Sequence, residues 1–314
     1  MEGWIFLGIA IFLIIATLVT SYVCFYRIFY SPRKNKNKEE YPIPDGEIYE
    51  PFREIMVDWM KNANALPHKN VEIRSFDGLT LRGKFYEYEE GAPIELMFHG
   101  YKGDSYRDLS GGIARCFALK RSVLIVDHRG SGRSDGKVIT FGINESKDCI
   151  RWIDFILENI DKNAKIILTG ISMGAATVLI AASQPLPKNV VGVLADCGYT
   201  SAKAIIKKVI TEMRLPANLL YPFVKLGARL FGNFNVDEIS PIESMQRCRL
   251  PVIFFHGDTD DFVPCEMSKQ NYDACVTEKK MVVIQGAGHG LCFPVAQEQY
   301  LEELKTFFDP ILNR

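Results

Sequence analysis

Hydrophobic positions near the N-terminus form one uninterrupted run rather than a periodic pattern. From Trp4 to Tyr26 the chain carries no charged residue over about 23 positions, which is enough for a helix to cross a bilayer. Trp4 lies at one end, and Tyr22, Tyr26 and Tyr30 lie at the other, where interfacial aromatic residues are expected. Residues 4–26 are therefore predicted to form a transmembrane anchor. A cleaved signal peptide is the alternative, but no basic residue precedes the run and no A-x-A site follows it.

The next segment, residues 27–47, is polar and basic and is predicted to be a solvated tether. Five basic residues follow the apolar run closely, whereas the charged side chain that precedes it is Glu2. The positive-inside rule therefore places the rest of the chain in the cytoplasm, as a single-pass protein of the cell membrane. The eight cysteines are scattered without a C-x-x-C pair, which agrees with a reducing compartment. The basic residues that follow the run are Arg27, Arg33, Lys34, Lys36 and Lys38.

A period of two begins at Val71, where alternating segments at 71–75 and 79–86 flank the hairpin signal Asp77-Gly78. Six buried-type strands follow, at 94–98, 123–126, 165–169, 190–195, 252–255 and 281–284. Helical patterns lie at 48–62, 105–119, 144–160, 172–183, 202–213, 219–231, 264–276 and 294–308. This alternation predicts an α/β fold with a mostly parallel, doubly wound sheet of eight strands that is antiparallel at its first edge. The core is assigned to residues 48–196 and 248–314, and residues 197–247 are assigned to a helical insertion.

Composition narrows the classes of function. The 314 residues carry a formal net charge of −1, and no basic face indicates nucleic acid, so that partner is excluded. The hydrophobic share of 47% suits one large α/β domain with an appendage.

The segment Gly170-Ile171-Ser172-Met173-Gly174 is the strongest candidate for chemistry. It follows an apolar strand and precedes a helical pattern of small residues, which is the layout of a nucleophile elbow. Glycines at both ends leave room for strand and helix to approach around a strained serine. A chance Gly-x-Ser-x-Gly is the alternative interpretation, but the flanking strand and helix favour the functional one.

Four other predicted strands end in residues suited to chemistry, and such ends gather at one edge of a parallel sheet. These are His99-Gly100, Asp127-His128-Arg129-Gly130-Ser131-Gly132-Arg133-Ser134, His256-Gly257-Asp258-Thr259-Asp260-Asp261-Phe262-Val263-Pro264, and Gly288-His289. Together with the serine elbow, they make the chain resemble the α/β-hydrolase superfamily over roughly residues 70–310. Within it, the chain is most similar to bacterial membrane-anchored serine hydrolases of the serine aminopeptidase/monoacylglycerol-lipase-like branch.

The resemblance implies a catalytic triad in the chain order Ser…Asp…His. Ser172 is the expected nucleophile, and His289 is the expected general base that removes its proton. The family's spacing selects Asp260 as the acid that orients the imidazole. Asp258 and Asp261, in the same loop, are the alternatives.

The resemblance also implies an oxyanion hole and a cap. The hole is expected to use the backbone N–H groups of Tyr101 and Met173. The insertion at residues 197–247 is expected to cover the site, and the apolar side chains of Leu219, Phe223 and Phe231 are candidates for an acyl-binding wall. Simple packing of the insertion onto the core is the alternative.

The function predicted from these residues is hydrolysis of a carboxylic ester, with a medium acyl chain favoured, through an acyl-enzyme intermediate. Neither a metal nor an organic cofactor is expected. The partners expected are a small-molecule ester or acyl substrate and the lipid bilayer around the N-terminal helix. A serine peptidase or amidase with the same triad is one alternative, and a non-catalytic membrane-anchored binding protein of the same fold is another. The sequence leaves the acyl group, the leaving group and the oligomeric state open.

Overall fold

A computed structural model describes residues 2–32 and 40–313 of the chain. The predicted apolar run lies within α1 (Glu2–Ile28). Among the described residues, α1 is the one helix long and apolar enough to cross a membrane by length and composition. Four of the basic residues used for the orientation, Arg33, Lys34, Lys36 and Lys38, lie outside the described residues.

The centre of the molecule is a sheet of eight strands in the order β1-β2-β4-β3-β5-β6-β7-β8. Strand β2 pairs antiparallel with both β1 and β4, and the remaining pairs are parallel. The prediction of a mostly parallel, eight-stranded sheet with an antiparallel first edge is therefore confirmed. The strands are β1 (Lys69–Arg74), β2 (Thr80–Tyr86), β3 (Ile94–Phe98), β4 (Ser122–Val126), β5 (Ile166–Ile171), β6 (Val190–Asp196), β7 (Val252–Gly257) and β8 (Lys279–Ile284).

Helices cover both faces of this sheet. On one face, Trp152 of α4 packs in a core with Leu96 and Leu168. On the other face, Phe308 of α11 packs with Phe255. Strands β3, β4 and β7 are buried along their whole length, as expected for strands covered on both sides. The helices beside the sheet are α3 (Ser105–Ala118), α4 (Ile143–Asn159), α5 (Met173–Ala181), α9 (Cys265–Ala274), α10 (Cys292–Val295) and α11 (Gln297–Leu312); a 3₁₀ helix (Glu47–Phe52) and α2 (Arg53–Ala65) precede it.

Residues 197–247, called the helical insertion below, connect β6 to β7. They contain α6 (Ala202–Glu212), α7 (Ala217–Phe231) and the short α8 (Pro241–Met245), which the periodicity does not predict. Helix α6 begins where the Ser201 side chain accepts a hydrogen bond from the Ala204 N–H at 3.0 Å.

The start of the predicted tether differs from a solvated segment. Phe29 is fully buried, and its ring packs edge-on against Phe141 and Phe234. Tyr30 pairs with Val138 in an isolated bridge, and the next backbone N–H donates to the Lys137 carbonyl at 2.8 Å. Because Phe29 packs against apolar side chains of the domain and Tyr30 pairs with its backbone, α1 is attached directly to the folded core.

Candidate active site

Ser172 lies at the sharp junction of β5 and α5, with φ at +57°. A Cβ added to Gly170 would lie 2.1 Å from the carbonyl carbon of Gly174, and one added to Gly174 would lie 2.1 Å from the carbonyl oxygen of Phe98. Both contacts are with backbone, which cannot rotate away. The two glycines are therefore required if the serine is to stand at the apex of this turn.

The structure brings the three predicted triad residues together. The Nε2 atom of His289 lies 2.9 Å from Ser172 Oγ, and its Nδ1 atom lies 2.7 Å from Asp260 Oδ2. An ionised carboxylate only accepts hydrogen bonds, so Nδ1 carries a proton and donates a hydrogen bond to Asp260. Nε2 is then free to accept the hydroxyl proton of Ser172. This arrangement can activate a serine as a nucleophile.

Backbone and imidazole groups hold the Asp260 carboxylate in its charged form. Its Oδ1 atom accepts the N–H groups of Phe262 at 3.0 Å and Val263 at 2.8 Å. Burial raises the pKa of this carboxyl, but hydrogen bonds from His256, His289 and the backbone outweigh burial and hold the pKa well below its ordinary value. The acid therefore stays ionised at neutral pH.

The two alternative acids lie elsewhere in the loop. Asp258 is exposed, and its carboxylate accepts the Gly286 N–H at 2.7 Å. Asp261 is exposed too, and Lys208 donates to its backbone carbonyl. Asp260 is buried and alone among the three contacts His289.

The two predicted oxyanion donors belong to two segments beside the serine: Met173 follows it in the chain, and Tyr101 follows a glycine that lies close to it in space. Met173 is the first residue of α5, whose first-turn N–H groups have no partner within the helix. Tyr101 lines the same cavity as Ser172. A Cβ on the preceding Gly100 would lie 3.7 Å from the Ser172 Cβ, so this loop runs directly beside the nucleophile.

Ser172 and His289 open into a cavity of about 210 Å³. Part of its wall comes from the segment before the sheet, which the sequence interpretation did not connect with the site. The side chains of Pro44, Tyr49, Met56 and Trp59 line it.

Contacts with the core fix this N-terminal wall. The Tyr49 hydroxyl donates to the His289 carbonyl at 3.1 Å. Trp59 packs against α3 so closely that a Cβ on Gly111 would lie 2.6 Å from its ring, and it stacks on Phe293 at 5.4 Å. The sequence signal that could have indicated this wall is the helical pattern at 48–62, which places Trp59 on an apolar face.

Another part of the cavity lining is polar. Arg115, Asp196 and Tyr300 line it, and the Tyr300 hydroxyl donates to Asp196 Oδ2 at 2.9 Å. Among the described residues, none gives a hydrogen-bond partner to Asp196 Oδ1 or to Arg115 Nε. Burial raises the pKa of Asp196. Buried polar atoms of this kind suit a polar group of a ligand or an ordered water.

The three residues predicted to form an acyl wall do not line the cavity. Leu219 is 66% exposed, and the Phe231 ring packs against Tyr22 at 5.2 Å and Phe25 at 5.9 Å in α1. Phe223 is half-buried on the same helix. The expectation fails because α7 packs against α1, a contact that helical periodicity alone does not specify.

Among the described residues, one group of potential metal ligands overlaps the triad. Ligand atoms of Cys197, Asp260 and His289 lie within 4.8 Å of one another. Burial raises the pKa of the Cys197 thiol well above its ordinary value, so it remains protonated, whereas a metal requires the thiolate. The imidazole nitrogens already have protein partners. This donor set therefore suits proton transfer better than metal binding.

Comparisons with known proteins agree with this architecture. Residues 96–220 match the family model described as alpha/beta hydrolase fold. The uncharacterized protein YqkD of Bacillus subtilis (strain 168) is 26% identical over 189 residues, which cover 60% of this chain and 62% of that protein. The match thus spans less than two thirds of that relative.

The solved structures that are similar in fold include an esterase and a peptidase. The Pyrococcus furiosus esterase Pf2001 superposes with a TM-score of 0.67 at 21% identity, covering 88% of this chain and 99% of that chain. A Mycobacterium tuberculosis puromycin-hydrolyzing peptidase superposes with a TM-score of 0.61 at 18% identity, covering 79% of this chain and 39% of that chain. At these identities the likeness concerns the fold.

Proposed function

This chain has the α/β-hydrolase fold, and on that premise we propose that it is a serine hydrolase that cleaves a carboxylic ester through an acyl-enzyme intermediate. The continuous hydrogen-bond chain from Ser172 through His289 to Asp260 is the observation that carries the proposal. A strained serine, an imidazole with the correct free nitrogen and an ionised acid are the three requirements of this chemistry.

In the first half of the reaction, Ser172 Oγ attacks the ester carbonyl and its proton passes to His289 Nε2. Asp260 stabilises the imidazolium that forms without taking the proton. The N–H groups of Tyr101 and Met173 bind the oxygen on which negative charge develops. The imidazolium then protonates the departing alcohol. In the second half, water gives a proton to His289 Nε2 and attacks the acyl carbonyl, and the imidazolium returns a proton to Ser172 Oγ as the carboxylic acid leaves.

The cavity suggests the size of the acyl group. Its volume of about 210 Å³ is below the roughly 300–1,000 Å³ of sites for drug-sized ligands. The apolar side chains of Met56, Trp59 and Phe293 suit an alkyl chain, and the polar groups around Arg115 and Asp196 limit its length. A short to medium acyl chain fits this site better than a long one.

A panel of p-nitrophenyl esters of graded chain length tests the proposal. Ser172→Ala and His289→Ala should each lower kcat by on the order of 10⁴-fold or more while the protein stays folded, because the two residues act as a unit. Turnover by either folded variant close to that of the unchanged protein would refute the assignment.

A peptidase or amidase is the second candidate, since a fold neighbour is a puromycin-hydrolyzing peptidase. The same triad serves amide hydrolysis. Aminoacyl anilides assayed beside the esters separate the two: a higher kcat/KM for the anilides would favour the peptidase.

We also propose that α1 anchors the protein in a membrane with the catalytic part on the cytoplasmic side. The support is its apolar length and the position of Arg27 and the following basic residues after the span.

A further inference from the structure

The docking of α1 on the domain leaves too little free helix to span a bilayer. The side chains of residues 3–15 are all exposed, a stretch of about 20 Å at 1.5 Å per residue. The hydrocarbon core is about 30 Å thick. If α1 spans it, roughly seven further residues, to about Tyr22, must also lie within the apolar layer.

The last of those further residues, Ser21 and Tyr22, contact α7. A Cβ on Gly227 would lie 2.3 Å from the backbone oxygen of Ser21, so the two helices touch at their backbones. Beside this contact, the rings of Tyr22 and Phe231 meet edge-on at 5.2 Å. Ser21 and Tyr22 therefore lie at the same depth as the C-terminal half of α7. If the bilayer surrounds this part of α1, it also reaches the C-terminal half of α7.

The outward face of α7 is apolar. Leu219, Phe223, Leu226 and Leu230 follow one another at intervals of four, three and four residues, which places them on one stripe of the helix. Leu219 is 66% and Leu230 52% exposed, and the two residues between them are half-buried. Within the described part of the chain, both ends of this stripe are therefore open to the surroundings.

The exposed apolar side chains outside α1 are concentrated here. Among the described residues, ten large apolar side chains outside α1 are exposed, and five of them lie between positions 213 and 231. These five are Met213, Leu215, Leu219, Leu230 and Phe231. Such a concentration marks an interaction surface rather than scattered exposure.

We propose that α7 lies in the interface of the bilayer that α1 spans, with the stripe Leu219–Phe223–Leu226–Leu230 turned into the hydrocarbon. The occupant of this face is lipid, because the face is continuous with the anchor helix. Arg229 is exposed on the polar side of the helix, where a long basic side chain can reach headgroups, and the neighbouring Lys225 Nζ is paired with Asp237 at 2.7 Å. The inference rests on the proposed anchoring by α1 and is independent of the proposed hydrolysis.

This placement brings the cavity to the membrane surface. The Tyr101 hydroxyl donates to the Ile28 carbonyl at 2.6 Å, and Lys102 Nζ donates to the Arg27 carbonyl at 3.1 Å. Tyr101 also lines the cavity. The last turn of α1 is therefore fixed to a residue that lines the cavity, which places the site close to the end of the anchor helix.

Quenching by brominated lipid tests the placement. The full chain carrying Trp4→Phe is reconstituted in phosphatidylcholine vesicles with bromine at mid-chain, and a reporter is added as Leu219→Trp or Leu230→Trp. The matched control is Val276→Trp, since Val276 is 65% exposed just before β8, at the edge of the sheet opposite the serine. Trp59 and Trp152 give the same background in all three proteins.

Both α7 reporters should lose much more fluorescence to brominated lipid than the control. A loss of fluorescence equal to that of Val276→Trp would overturn the proposal. A second copy of the chain that shields this face from lipid would give that same low loss and would overturn the proposal too. If Trp4 of the unchanged protein were also not quenched, the anchor itself would be wrong and the proposal would fail with it. Hydrolysis of a soluble ester by each variant, measured in the same vesicles, reports separately on the proposed function.

Discussion

Replacing Glu95 with glutamine should strongly destabilise the fold, because its carboxylate neutralises two buried guanidinium groups. Glu95 is fully buried on β3; its Oε1 atom lies 2.7 Å from Arg121, and its Oε2 atom bonds Arg115 and, at 3.0 Å, the Thr169 hydroxyl. Glutamine keeps the size and loses the charge. Removing one partner of a buried ion pair costs about 3–5 kcal/mol, which corresponds to a fall in Tm of about 10 °C for a chain of this size.

The stability that Glu95→Gln removes should depend on pH in one direction, because it comes from the charged carboxylate. Burial raises the pKa of Glu95, but Arg115 and Arg121 outweigh burial and lower the pKa from its ordinary 4.5 to about 2. Because the folded-state pKa is the lower one, the stabilisation is complete above the unfolded-state pKa and is lost as the pH falls toward 2. The difference between the unchanged protein and Glu95→Gln should therefore narrow by about 1 kcal/mol between about pH 6 and pH 3.5.

Urea and thermal unfolding of the full chain in detergent, followed by tryptophan fluorescence, measures both effects. Glu72→Gln is the matched control, because Glu72 is 68% exposed on β1 and lies 3.7 Å from Arg82. An exposed pair of this kind contributes about 0–1 kcal/mol. Equal stability of Glu95→Gln and Glu72→Gln would refute the account of the buried cluster.

Three further predictions concern the site and the anchor. Asp260→Asn should lower kcat on a soluble ester by on the order of 10³–10⁴-fold, because the imidazole loses its orienting charge. Asp261→Asn should change kcat little, and the opposite ranking of the two variants would reassign the acid. Trp59→Ala should extend the preferred acyl chain, since each further methylene that becomes buried raises kcat/KM about fourfold, while Leu219→Ala should leave the ester profile unchanged; equal profiles would remove Trp59 from the acyl site. A reporter fused to the C-terminus should behave as cytoplasmic, and digestion of the domain by protease added to intact cells would contradict that orientation.

The sheet could be predicted from the sequence because its signals are local. Alternation at 71–86 and the buried strands that follow are set by side-chain patterns within each element. The elbow was equally accessible, since the clashes that require Gly170 and Gly174 arise within a few residues of Ser172 or with the adjacent strand. The resemblance to α/β-hydrolases then supplied the chain order of serine, acid and histidine, and with it the candidates Asp260 and His289.

The walls of the cavity could not be predicted, because they depend on contacts between distant parts of the chain. The bond between Tyr49 and the His289 carbonyl joins residues 240 positions apart. Periodicity indicated that the helix containing Trp59 and the helix containing Phe231 each bury an apolar face, but it did not identify the partner of either. Trp59 lines the cavity, whereas Phe231, which was expected to line it, packs on α1.

Labelling with a fluorophosphonate probe tests the central claim most directly, since the probe reacts with an activated serine and needs no knowledge of the substrate. The full chain in its membrane is treated with the probe, digested and analysed by mass spectrometry. We predict one adduct, on the peptide that contains Ser172, which disappears in Ser172→Ala and is strongly reduced in His289→Ala. A folded, unchanged protein that stays unlabelled, or undiminished labelling of Ser172→Ala, would contradict the assignment of this chain as a serine hydrolase.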